Sequence, residues 1–161
     1  MALFFRPYEE KDIPQLTQLW NRITEEGISF PGDQVLSEQE AAQMFASQTL
    51  TACAVDGEEV LGFYILHPNA VGRCAHVANA SYGVKEGCRG QGIGRKLVQH
   101  SLEQAKQHGF VGLQFNAVVE TNTVAIQLYK QLGFRHVGTI QKGYHAKDGS
   151  FRDILIFYYL F

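Results

Sequence analysis

Apolar positions along the chain alternate between a helical spacing of three to four and a strand spacing of two. Phe4 to Tyr8, "FFRPY", reads as a short strand. Ile13, Leu16, Leu19, Trp20 and Ile23 then fall on one side of a helix, with Asp12 as its cap and Pro14 in its first turn. "EEGISFPGDQ", Glu25–Gln34, reads as a loop, and Ser37 with Glu40 forms a capping-box pattern for a second helix through Ala41, Met44 and Phe45. "TLTACAV" and "VLGFYILH" are two strands joined by a turn at Asp56-Gly57-Glu58-Glu59. "HVANASYGV" predicts a further strand, followed by a helix over Gly92–His108 that Gly109 stops. "VGLQFNAVV" is the next strand, and a helix over Asn122–Leu132 ends at Gly133. "FRHVGTI" and "FRDILIFYYLF" close the chain as strands, the last apolar enough for a buried central position. The order β-α-α-β-β-β-α-β-α-β-β predicts a mixed α/β sheet with helices on its faces.

Composition narrows the class. With 161 residues, 45% apolar and 19% charged, the chain suits one globular domain over residues 1–161. A formal net charge of -2 argues against a nucleic-acid or membrane-surface binder, which would carry a basic excess. Cys53, Cys74 and Cys88 have no CxxC spacing, so neither a disulfide framework nor a zinc site is expected. No apolar run approaches the roughly 20 residues of a membrane span, and the charged N-terminus does not read as a signal peptide. A cytoplasmic protein is the expectation.

Candidate chemistry concentrates in "VKEGCRGQGIGRKL", Val84–Leu97, which holds four glycines and four cationic residues ahead of a helix. Glycine turns between a strand and a helix present backbone N–H groups to phosphates. A Walker A string is absent. A dinucleotide fingerprint fits Gly90 and Gly92 but meets Arg95 at its third glycine position. The string taken alone also fits a plain helix cap.

"RGQGIG", Arg89–Gly94, resembles motif A of the GCN5-related N-acetyltransferases (GNAT), with Arg89, Gly92 and Gly94 on the pattern and Val84 five residues before the arginine. Downstream, "ETNTVAIQLYKQLGFRHVGT" carries Asn122, Ala125 and Tyr129 at the family spacing. The order of elements agrees from first strand to last. One departure is Lys85-Glu86-Gly87-Cys88, where members often have proline.

The resemblance implies a mostly antiparallel sheet of six or seven strands with about four helices, splayed between its two central strands. It implies acetyl-CoA as donor and no metal. The pyrophosphate would lie on Gly90, Gln91, Gly92, Ile93, Gly94 and Arg95 beside Arg89, the pantetheine arm on Gly83 and Val84, with Asn122 and Ala125 also near the cofactor. Tyr129 would protonate the leaving thiolate, or only pack its ring. For the amine's proton the candidates are Glu25 or Glu26 in the early loop, and Ser81 or Asn79 as positioners of water. His76 is a further candidate, and Cys88 would be an acyl carrier only in a covalent route. The remaining histidines lack metal-ligand spacing. The early "ISF" loop and the last hairpin, Lys142–Asp153 with Asp148-Gly149 and then Arg152-Asp153, resemble the phosphinothricin and amino-acid acetyltransferase branch, and by composition a mixed pocket of carboxylates with Tyr144, His145 and Arg152 would suit an amine that carries a carboxylate. That implies a small-molecule amine as acceptor, with a protein amine, a polyamine or a non-catalytic acyl-CoA sensor as alternatives. Members often dimerise, so a homodimer is also expected.

Overall fold

The computed structural model describes residues 2–161. Seven strands form one sheet: β1 (Phe4–Pro7), β2 (Leu50–Asp56), β3 (Glu59–Pro68), β4 (Val77–Val84), β5 (Gly112–Val119), β6 (Arg135–His145) and β7 (Phe151–Leu160). Four helices accompany them: α1 (Ile13–Glu26), α2 (Glu38–Ala46), α3 (Ile93–Gln107) and α4 (Thr123–Gln131). Strand order is β1-β2-β3-β4-β5-β7-β6, and every pair is antiparallel except β4 with β5. That parallel pair meets only at Val77 with Gly112 and Ala78 with Leu113. The rest of β4 peels away, which is the expected splay.

Two cores flank the sheet. Even-numbered residues of β4 (Ala78, Ala80, Tyr82, Val84) join Leu97, Val98, Leu113, Phe115 and Phe157 on the α3 side. The opposite face packs Leu16, Leu19 and Ile23 of α1 and Phe45 of α2 against Phe63 and Ile65. Gly83 is what lets α1 approach β4: a Cβ there would lie 2.4 Å from the Phe63 ring and 2.7 Å from Ile23 Cδ1. The Ser37–Glu40 capping box forms in both directions, at 3.0 and 3.1 Å.

Three expectations change. Asp12 stands before α1, yet its carboxylate caps no helical N–H. It accepts from Arg6 at 2.7 and 3.1 Å and from the Glu9 N–H at 2.7 Å. Proximity to β1, invisible in the local sequence, redirects it. The strand expected to end at Ile140 continues to His145, leaving a short loop before β7. Finally, β7 is paired on both sides, by β5 and β6, but is mostly half-buried with only Phe157 enclosed, because side chains leave the sheet by its faces and none of its residues joins the core under α1 and α2. Among the described residues no helix is long and apolar enough to cross a membrane.

Burial pushes the Asp12 carboxyl up, but the Arg6 guanidinium, the Glu9 N–H and Lys11 outweigh it and hold it below the ordinary carboxylate range. A lowered folded-state value stabilises the protein above the unfolded carboxyl's range and is lost as pH falls through the folded value. Asp12→Asn is therefore expected to destabilise by about 2 kcal/mol at pH 7. The gap between variant and wild-type melting temperatures should close below about pH 4, as read by thermal unfolding across pH.

Candidate active site

The glycine loop hangs between two fixed points. At its start the Lys85 N–H donates to the Leu61 carbonyl at 2.8 Å, and the Cys88 N–H turns back onto the Lys85 carbonyl at 3.1 Å. Gly87, at φ +84°, makes this turn. At its end Ile93 is buried and begins α3. Gly90 and Gly92 adopt φ of +83° and +78°, and nothing lies within 4 Å of where a Cβ would sit on either. Gly92 caps α3 without a side chain, and the first helical bond runs from the Lys96 N–H. The N–H groups of Ile93, Gly94 and Arg95 thus open outward at the positive end of the helix, a cradle suited to an anion. Arg89 reaches Glu26 at 3.8 Å, and Arg95 donates to Gln131 at the end of α4.

Backbone direction in β4 follows from its pairing. Lys85 bonds to Leu61 and Val77 to Asn69, so the odd-numbered residues turn their N–H and C=O toward β3. Ala80, Tyr82 and Val84 turn theirs toward β5, where the strands have parted. Gly83 faces β3, so Tyr82 and Val84 are the residues whose amides line the crevice. Two crevice-facing groups already have partners: the Ala80 N–H donates to Asn79 Oδ1 at 2.7 Å, and the Val84 carbonyl accepts from Arg22 at 2.7 Å.

The hydroxyls on the α3 side separate by their protons. Ser101 Oγ donates to the Val98 carbonyl, so the 2.7 Å contact between Tyr82 and Ser101 has Tyr82 as donor. The Tyr82 proton is committed. Tyr129 packs its ring against Phe115, Phe134 and Phe157 at centroid distances of 4.5, 5.5 and 5.7 Å. Its hydroxyl has no hydrogen-bond partner among the described residues, and burial pushes its pKa well above the ordinary tyrosine value. Asn122 caps α4, its Oδ1 accepting from the Ala125 N–H at 3.3 Å, which leaves its amide nitrogen free to donate.

The other face of the crevice is polar and largely neutral. By alternation Asn79 and Ser81 of β4 share it with Gln114 and Asn116 of β5. Gln114 donates to Asn116 at 2.9 Å, and Asn116 donates to Asn69 at 2.7 Å. Glu26, half-buried at the end of α1, lies 3.9 Å from Arg22 and 3.8 Å from Arg89. Glu25 is exposed and contributes its carbonyl, which accepts from Lys147 Nζ. His76 is exposed at the far end of β4, and Cys88 packs at the edge of the α3-side core. Sequence reasoning overlooked Arg22, Asn69, Gln114 and Asn116. No local motif marks them, because strand parting and β-register bring them together.

The sequence profile of the acetyltransferase (GNAT) family matches residues 13–134. The chain belongs to that family. It is an N-acetyltransferase by this membership and by its relatives. An N-acetyltransferase from Schizosaccharomyces pombe is 30% identical over 95% of this chain and 82% of its own length. A phosphinothricin N-acetyltransferase from Streptomyces coelicolor is 26% identical, covering 92% and 91%. A peptidyl-lysine N-acetyltransferase from Salmonella typhimurium is 28% identical, covering 86% and 87%. A GCN5-related N-acetyltransferase from Kribbella flavida superposes with a TM-score of 0.92 at 35% identity, over 99% of this chain and 98% of that one.

Proposed function

We propose that this GNAT enzyme transfers acetyl from acetyl-CoA to the primary amine of a small molecule, an amino acid or close analogue, by direct attack. The observation that carries the acceptor class is the crevice floor of Asn69, Asn79, Gln114 and Asn116. Neutral amides accept an ammonium's protons and donate to a carboxylate without repelling either, whereas a polycation would draw on a carboxylate-rich surface. The three cysteines, all free, accord with a cytoplasmic enzyme.

The open glycine cradle fits a pyrophosphate. The N–H groups from Gly90 through Arg95, with Gln91 among them, would hold it, while Arg89 and Arg95 add charge-assisted bonds on leaving their present partners. The parted amides of Tyr82 and Val84 would pair with the pantetheine arm. Asn122 would add its free amide nitrogen beside Ala125. Acetyl-CoA supplies the activated thioester, and a crevice-facing N–H suits the oxyanion that develops on its carbonyl. Tyr129 holds its proton at neutral pH because burial disfavours the phenolate; the same apolar wall would raise the basicity of a thiolate departing beside it, and the phenol gives that thiolate its proton. Glu26 takes the amine's proton with Ser81 orienting the intervening water. The two guanidinium contacts of Glu26 exceed hydrogen-bond length, so its lone pairs stay available.

Free-thiol release from acetyl-CoA, measured over the amino acids, spermidine and a lysine peptide, tests the acceptor class. Turnover is expected with amino acids; preference for the peptide would overturn the small-molecule assignment. Gly94→Glu separates folding from donor binding. A side chain there meets only Val84 at 3.9 Å, and an acidic residue in the first turn favours the helix. The melting temperature should hold or rise while calorimetric acetyl-CoA affinity falls at least about tenfold. Tyr129→Phe should leave that affinity unchanged and lower kcat by about a hundredfold. Since the phenol's pKa is raised, kcat should show no alkaline loss from Tyr129 up to about pH 10, read from the pH–rate profile.

A further inference from the structure

We infer that Tyr144, set opposite Arg152 by a β-bulge, is a positioning residue that clasps the α1–α2 loop across the acceptor face and so sets which amines enter. The inference rests on the acetyl-transfer reading above. Pairing of β6 with β7 slips between Ile140 and Tyr144. Within that slip Lys142 has φ +55°, the one positive value outside glycine among the described residues. A left-handed conformation costs an ordinary side chain about 1 kcal/mol, and here the Lys142 N–H is held by Asp153 Oδ1 at 2.9 Å. Asp153 is itself fixed, its N–H donating to Glu120 Oε2 at 3.1 Å. Gly143 completes the bulge, since a Cβ there would lie 2.7 Å from Ile154.

The bulge inserts two residues, an even number, so Tyr144 keeps the face of Ile140 but stands opposite Arg152 rather than Ser150. Lys142 and Gly143 are exposed, but Tyr144 is only 8% exposed. Its hydroxyl donates to the Phe30 carbonyl at 2.9 Å. Next to it the Lys147 N–H donates to the Gly27 carbonyl at 3.1 Å, and Lys147 Nζ donates to the Glu25 carbonyl at 2.8 Å. Phe30 is anchored below, with its ring 4.7 Å from Trp20. These bonds have a direction that matters. The helix α1 packs on β3 and β4, whereas the β6–β7 hairpin lies beyond β5. Contacts from Gly27 and Phe30 to Tyr144 and Lys147 therefore bridge the gap between β4 and β5 on the face that carries Asn79, Ser81, Gln114 and Asn116. The donor cradle lies at the start of α3, on the opposite side of the sheet. Loosening the bridge should change acceptor binding alone.

Two variants open the clasp from opposite sides. Tyr144→Phe deletes one hydroxyl and keeps the ring. Gly27→Ala, at φ +64°, sets a methyl 2.6 Å from Lys147 Cβ. Both are expected to raise KM for the best amine of the thiol-release panel by about three- to tenfold, the worth of one hydrogen bond. Acetyl-CoA affinity by calorimetry should stay within about twofold, since no cradle group is touched. The kcat/KM ratio of the bulkiest to the smallest accepted amine should rise. Hydrogen exchange of residues 27–36 in the acetyl-CoA-loaded enzyme should quicken in both variants, a readout needing no acceptor. Unchanged exchange there, or unchanged acceptor KM in Tyr144→Phe, overturns the assignment, as does a parallel loss of acetyl-CoA affinity. Absence of thiol release by the wild type with every amine would instead overturn the underlying acetyl-transfer reading.

Discussion

Everything in this molecule that bears on chemistry depends on two parallel strands that stop pairing. After Ala78 and Leu113, β4 and β5 part inside a continuous sheet. Buried backbone N–H and C=O groups need partners, so an interior parting carries a free-energy penalty unless something fills it. Asn79 and Arg22 satisfy two of the exposed groups. Tyr82 keeps both of its backbone groups turned to the gap, beside a helix whose first N–H groups are also open. Strand amides and a helix N-terminus converge on one crevice, and that convergence suits an extended donor carrying an anionic diphosphate.

The sheet also divides labour by parity. Even-numbered β4 side chains build an apolar, aromatic wall with α3 and α4, and Tyr129 stands in it with an uncommitted proton. Odd-numbered side chains build a wet amide floor on the other face. One chain in extended conformation serves both because its side-chain period is two. A shift of one residue in the β3–β4 register would exchange the faces and put Tyr82 among the acceptor groups. Gly83 and Gly62 protect that register. Any side chain at Gly83 meets Phe63 and Ile23, and one at Gly62 comes within 3.0 Å of the Gly83 carbonyl and Leu97.

Much of this was legible in the sequence where the cause is local. The Ser37–Glu40 box, the Asp56–Glu59 turn and the two helices stopped by Gly109 and Gly133 arise from interactions within a few residues, and they stand where the pattern placed them. The cradle was legible for the same reason: glycines at Gly90 and Gly92 announce positive φ. Where the cause is distant, the pattern misled or stayed silent. Asp12 looked like a cap and instead pairs with Arg6 across a turn. The aromatic run in β7 lies between two strands as its pattern suggests, but none of it joins the core under α1 and α2, which leaves it half-buried. Arg22 is an ordinary helix residue until α1 settles on the end of β4.

The sequence by itself determined the family, the order of elements and the presence of an anion-binding turn, because periodicity, capping and glycine spacing are short-range physics. Tertiary structure decided which residues face the crevice, that Tyr82 rather than Gly83 offers its backbone, and that Asn69, Gln114 and Asn116 form one floor. It also decided that a bulge at Lys142 sets Tyr144 opposite Arg152, where its hydroxyl meets the Phe30 carbonyl, 114 positions away. Those facts depend on strand register and on where two strands separate, and long-range pairing leaves no mark in any local window of residues.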